Sequence, residues 1–336
     1  MTRRLALALA VVLGAAAGCV SAPPREDPSL ARARAAAARA DADASEGRLR
    51  DALDGYREAV RLAPADPAYA SREKEVRDAL VLRRAAEADE ALSRKDVAAA
   101  RRAAVSILEI DPRAAAGYRL LARAAEAEGA LEDAWTAARR AYEIDPRDAS
   151  MTESLASLAT KTGRWAEAES LYEQLAKSDP AFGEKAAAAG FEFRVQNLPA
   201  TARKAALSTR LTRAQLAALL VELSPEVREA RIPPGADVAV DVVDRPERAA
   251  LVRTIGLGFF TVSRETHLVG ADAPVTRSEM ASHLRRLAVL AGGALACPAS
   301  LAECGILPEG SRQVGGREAV AAIEATLRMA RPGGSR

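Results

Sequence analysis

Aromatic residues are scarce, at 4% of the chain. A core of interlocked rings is therefore excluded, and close packing has to come from small aliphatic side chains. That favours helices. Only two histidines occur, His267 and His283, and neither stands at metal-ligand spacing from another histidine or cysteine. No metal or other cofactor is expected. Gly-x-Ser-x-Gly, a phosphate loop and a dinucleotide fingerprint are all missing. The segment GLGFF ends a helical pattern instead of opening one, so it cannot cradle phosphate. No excess of either charge is present: Lys+Arg total 48 against Asp+Glu 46. A balance of this kind gives no basic stripe for nucleic acid. Glu169 and Glu173 pair at helical spacing, which reads as a solvated helix face; nothing locates two carboxylates in one cleft, so a non-enzymatic protein is expected.

Long apolar runs are absent too. The longest is Leu5 to Ala17, preceded by Arg3-Arg4 and followed by Gly18-Cys19. It is too short for a stable membrane span and has the layout of a secretory signal. Ala16-Ala17-Gly18-Cys19 resembles the lipobox of bacterial lipoproteins, with alanine where leucine or valine usually stands. The resemblance implies a signal peptide over 1–18 and acylation of Cys19. With Val20 after the cysteine, it also implies membrane attachment through Cys19 at the outer membrane, facing the periplasm. A short linker, 19–28, leads into the fold.

Two further cysteines remain, Cys297 and Cys304. Seven positions along one continuous helix would hold them about 10 Å apart, too far for a disulfide. Pairing requires Cys297 to lie in a loop before the helix, which Pro298 permits. The sequence leaves both outcomes open.

What the chain has in abundance is alanine in a repeating frame. Gly47-Arg-Leu49 leads to Tyr56, Ala59 and Pro64, and Lys95-Asp-Val97 leads to Ala104 and Pro112. Gly129-Ala-Leu131 leads to Ala138 and Pro146, and Gly163-Arg-Trp165 leads to Tyr172 and Pro180. The step is 34 residues from Pro112 to Pro146 and again from Pro146 to Pro180. Ala134, Ala138 and Ala141 place small side chains on one helix face, so a neighbouring helix can approach. The segments resemble the tetratricopeptide repeat. That resemblance implies a helical-hairpin solenoid, expected over 29–185, with a groove lined by the first helix of each pair. Arg119, Arg123 and Glu126, then Glu153, Ser157 and Lys161, are the groove candidates for an unidentified protein partner. From Pro64 to Pro112 the step is 48 residues, longer by about four helical turns. An unusually long helix near Glu73 to Ala91 is expected in place of a missing repeat.

After Pro180 the frame stops. A capping helix and a proline-broken connector, 186–207, precede a different domain, 208–330, and a tail, 331–336, expected to be disordered. Asp241-Val242, Gly258 and Val275-Thr276-Arg277-Ser278-Glu279 fall in an order that resembles the S-layer homology repeat. Leu211-Thr212-Arg213-Ala214-Gln215 reads as a second copy, and Gly316-Arg317-Glu318 as a shortened third. The fold class expected overall is mainly α: the solenoid, then a degenerate S-layer homology-like helical bundle with short loops or strands. Thr276 suits an N-cap, with Glu279 completing a capping box. An arginine beside free helix N–H groups can grip a carboxylate. The resemblance implies Thr212, Arg213, Thr276, Arg277, Glu279 and Arg317 as contacts for peptidoglycan or another cell-wall polysaccharide. The same three arginines could instead tie the copies together by internal ion pairs.

Overall fold

The computed structural model describes residues 27–235, 237–295, 297, 300–308 and 312–331. The signal segment, Cys19 and the tail from 332 lie outside the described residues. The chain divides into two compact units, the boundary falling between Asp145 and Pro146. Among the described residues every regular element is helical; there are two isolated bridges and no strand. No described helix is long and apolar enough to cross a membrane.

The first unit is a run of hairpins: α1 (Pro28–Ser45), α2 (Leu49–Leu62), α3 (Pro67–Ser93), α4 (Val97–Ile110), α5 (Ala115–Ala127) and α6 (Leu131–Ile144). Each packs on the next in chain order. α2, α4 and α6 each stop two residues short of the proline that marks their repeat, as proline's effect on the preceding residue requires. Asp27, Asp66 and Asp96 cap α1, α3 and α4 by accepting a backbone N–H. Ala134, Ala138 and Ala141 of α6 are buried. The long helix is present and runs further than expected, over the 27 residues of α3.

The second unit opens with α7 (Ala149–Lys161) and α8 (Trp165–Ala176), a hairpin of the same kind. The tight turns inside the hairpins fall on Gly129 (φ 78°) and Gly163 (φ 73°), a conformation that glycine adopts without steric cost. α9 (Phe182–Gln196) and α10 (Ala200–Ala206) follow, broken at Pro199 as the sequence indicated. They are no mere linker. Phe191, Val195, Ala202 and Ala205 belong to the same core as the helices that follow.

Those helices are α11 (Arg213–Leu223), α12 (Pro225–Glu229), α13 (Arg248–Gly256), α14 (Arg277–Leu290) and α15 (Gly316–Ala330). Of the alternating segment ADVAVDVV, the described residues 237–243 form no strand; Val240–Val242 is a single 3-10 turn. Leu211 donates its backbone N–H to Val314 (2.9 Å), Val314 donates to Val275 (3.0 Å), and Val275 donates back to Leu211 (2.8 Å). This closed ring of three extended residues sits immediately before α11, α14 and α15. Its three side chains are completely buried, which removes apolar surface from water where the copies meet. Thr212 bridges Pro274 and Thr276 bridges Gln313 beside it.

Cys297 and Cys304 form a disulfide, with Cα atoms 5.8 Å apart. The segment Leu301–Gly305 is a series of turns, not a helix. The geometric obstacle of a continuous helix therefore does not arise.

Candidate functional site

In the first unit Arg119, Arg123 and Glu126 lie on α5, the first helix of its hairpin. Arg123 is ion-paired with Asp89 of α3, and Arg119 and Glu126 are engaged as well. In the second unit Glu153, Ser157 and Lys161 lie on α7. Glu153 pairs with Lys185 of α9 at 2.9 Å, and the same ammonium lies 4.9 Å from the centre of the Phe182 ring. Ser157 is half-buried, and Lys161 is engaged too. The expected groove residues thus include lateral ties between helices.

The ring of Leu211, Val275 and Val314 aligns the three motif copies atom by atom. Thr212, Thr276 and Gly315 are the N-caps of α11, α14 and α15. Arg213 and Arg277 are therefore the first residues of their helices, and Gly316, not Arg317, is their counterpart in the third copy. This corrects the alignment read from sequence. The physical reason is crowding. A Cβ at Gly316 would run into the backbone carbonyls of Ala205 and Ala206 in α10, so no arginine fits there.

The two arginines that do occupy this position reach across to the next copy. Arg213 Nε lies 2.7 Å from Glu279, and Nη1 donates to the Val269 carbonyl at 2.6 Å. Arg277 Nε lies 2.9 Å from Glu318. A third link would join position 316 to position 215, and both partners are missing: one is glycine, the other Gln215. The glutamine serves its own helix instead. Thr212 accepts the Gln215 N–H and the Gln215 side chain accepts the Thr212 N–H, a complete capping box. In the second copy the box expected at Thr276 and Glu279 is only half made. Thr276 accepts the Glu279 N–H, while the Glu279 carboxylate turns to Arg213 and lies 3.8 Å from His283 Nε2. Burial pushes the Glu279 carboxyl up, but His283 and Arg213 outweigh it and hold the group below the usual range. His283 is buried against Phe260, ring centres 4.7 Å apart, and serves the core.

Arg317 has a separate environment. Its guanidinium lies over the Phe191 ring (4.0 Å) and pairs with Glu192 of α9 at 3.0 Å, with 59% of the side chain exposed. Beside it a cavity of about 650 Å³ is lined by Phe191, Leu207, Thr209, Gly315 and Glu318. On the other side a second cavity, about 760 Å³, is lined by α8, α9 and α15. Here Arg194 is shared between Glu324 (2.6 Å) and Glu169 (3.4 Å). Burial raises the Glu324 carboxyl above its ordinary value. Glu169 can lie against α9 because residue 190 is glycine; a Cβ there would collide with its carboxylate. Glu169 thus pairs with Arg194, whereas the sequence had coupled it only with Glu173.

Asp241 is a site residue of a different kind, legible in sequence only as the start of the Asp-Val pattern. Its carboxylate accepts the N–H groups of Val269 (2.9 Å) and Ala271 (3.0 Å). Burial pushes this carboxyl up, and those backbone donors more than reverse the effect, leaving it below the usual range. It fixes the loop that delivers Val275 to the ring. No group of three potential metal ligands occurs among the described residues.

No family model and no curated protein matches the chain. Among solved structures, the chain is similar to the TPR2AB domain of yeast Sti1 in its complex with pHSP90, at 19% identity. That likeness covers 49% of this chain and 68% of that one, with a TM-score of 0.28. It is also similar to a thermophilic TPR protein of Thermus thermophilus, at 19% identity over 49% of this chain and 84% of that one, TM-score 0.27. A third likeness is to the MamA protein, at 14% identity over 48% of this chain and 83% of that one, TM-score 0.29.

Proposed function

We propose that this chain is a non-enzymatic scaffold of the cell envelope whose helical-hairpin repeats hold a protein partner. The observation that carries the reading is the succession of hairpins with small buried faces and charged outer faces. Such units bury little apolar surface singly and present extended surfaces when stacked. Attachment through an acylated Cys19, at the outer membrane and facing the periplasm, completes the proposal and rests on sequence alone. Cys19→Ala is expected to move the protein from the membrane to the soluble fraction; unchanged fractionation refutes the tether. For the repeats, charge reversal at Arg119 and Lys161 is expected to abolish capture of the partner by the full chain, and undiminished capture refutes the groove.

The C-terminal domain, in this reading, docks on peptidoglycan or another cell-wall polysaccharide. Arg213 and Arg277 are engaged in inter-copy ion pairs, so the support rests on Arg317, exposed beside an open cavity and backed by an aromatic ring. A periplasmic assembly or secretion factor, with both parts binding protein, is the second reading, and those two ion pairs favour it. Sedimentation with purified sacculi separates the two. Glycan docking requires co-sedimentation that Arg317→Ala weakens; a chain that stays in the supernatant supports the assembly factor.

A further inference from the structure

The long helix α3 leaves part of its hairpin uncovered. α2 has 14 residues against the 27 of α3, so it can flank only about half of it. The turn between α1 and α2 meets α3 at Arg83, whose Nη1 donates to the Gly47 carbonyl at 3.0 Å. Beyond that point α3 continues to Ser93 and pairs with α4, whose principal neighbours are α3 and α5. The next preceding hairpin would stand there in a regular array, and the 48-residue step has removed it. A cleft of about 360 Å³ marks the place.

Its lining is distinctive in chemistry. The floor is Ala91 of α3 with Ala99 and Ala103 of α4, and the rim is Arg84, Arg94 and Arg102. Small residues between two helices admit the close approach of a third. Among the lining residues Glu87 is the one acid; it pairs with Arg84 at 2.7 Å. Arg94 is tied to Glu90 at 2.8 Å. Arg102 is exposed and makes no ion pair among the described residues. Arg84 Nε is buried without a hydrogen-bond acceptor, and a buried donor left unpaired costs stability until an acceptor arrives. The next residue after Arg94 carries a further sign. Lys95 holds φ 61°, where the two turns already described have glycine. A side chain there costs about 1 kcal/mol, and the strained position bears a positive charge one residue beyond Arg94 of the rim.

We propose that the exposed flank of α3 and α4 is a docking site for an acidic amphipathic helix of a partner protein. The apolar stripe of such a helix would lie on the alanines, and its carboxylates would meet Arg84, Arg94, Lys95 and Arg102. This inference rests on the reading of the repeats as a partner platform, and places a second contact outside the α5 and α7 faces. The test is a titration of the isotope-labelled full chain with a synthetic helix of glutamate, alanine and leucine, and with the same peptide bearing lysine for every glutamate. The acidic peptide is expected to shift the amides of 84–106, and Arg102→Glu to weaken it by about fivefold or more. Arg140→Glu on α6, whose ion pair is with Glu143 of the same helix, is expected to leave it unchanged. Lys95→Gly should raise the melting temperature while weakening the peptide. Equal binding of the lysine peptide, or no binding of either, overturns the proposal. Shifts confined to Arg119 and Arg123 overturn it as well, yet leave the platform reading standing.

Discussion

Arg277 and Glu318 are 41 positions apart in the chain and in direct contact, Nε to Oε1, joining the second motif copy to the third. Their side chains are 20% and 26% exposed, so each charge is substantially removed from water. Losing either partner strands the other. Arg277→Ala and Glu318→Ala are each expected to cost about 1–2 kcal/mol, with a double mutant much less destabilised than the sum. Urea denaturation of the four-protein cycle measures the coupling. Additive losses refute an energetic link between the copies.

Gly316 is the tightest position in the same region. Gly316→Ala places a methyl against two backbone carbonyls that cannot swing aside, and a loss of about 2 kcal/mol or more is expected. Gly183→Ala, on a helix with open space around its Cβ and no positive φ, is the control and should be neutral or stabilising. Thermal melts of both variants decide. Equal melting temperatures contradict the crowding.

The Cys297–Cys304 bridge closes a short loop. Its removal is expected to cost about 2 kcal/mol by loop-closure entropy. The Cys297→Ser, Cys304→Ser protein should melt lower than the oxidised chain and at the same temperature as the reduced chain. A melting curve indifferent to reductant excludes a stabilising bond.

Asp241 supplies a pH dependence with a definite sign. Its carboxyl is held below the ordinary range in the folded state, so the unfolded chain takes up the proton first. The stabilisation is fully present above about pH 4 and is withdrawn as pH falls through the lower, folded value. Asp241→Asn is expected to flatten the stability profile from about pH 4 downward. If the variant and the parent lose stability in parallel over that window, the carboxylate has no such role.

Much of this architecture can be read from residue order. Prolines at a fixed step, glycines at the head of three of the four units and alanines at helical spacing foretold the hairpins, because helix ends and close packing are local requirements. The 48-residue step foretold α3, since helix length follows directly from residue count. The C-terminal site was less legible. Thr276 declared itself as an N-cap, a local signal, but the cap at Thr212 was not read, and the partners of Arg213 and Arg277 are set by a ring whose members lie far apart in sequence. Arg317 was misaligned by one residue because the constraint on Gly316 comes from α10, a segment whose alanines gave no hint of packing there. Gln215 looked like a weakened motif and proved the better cap, because its amide is not drawn away by an arginine. The ADVAVDVV segment alternates like a strand, yet its described residues meet the 267–271 loop through one backbone bond, Val240 N–H to the His267 carbonyl at 2.9 Å, too few rungs to sustain a strand.

The ring of Leu211, Val275 and Val314 also fixes when this part of the molecule can mature. Its last member, Val314, comes 103 positions after its first, Leu211, so synthesis must deliver all of the intervening chain before the first two copies find their keystone. Until then the aliphatic surfaces meant for α15 stay wet. A nascent chain of this design arrives as a client for holding chaperones, and a stop codon ahead of Val314 would leave a substrate for quality-control proteases instead of a smaller working domain.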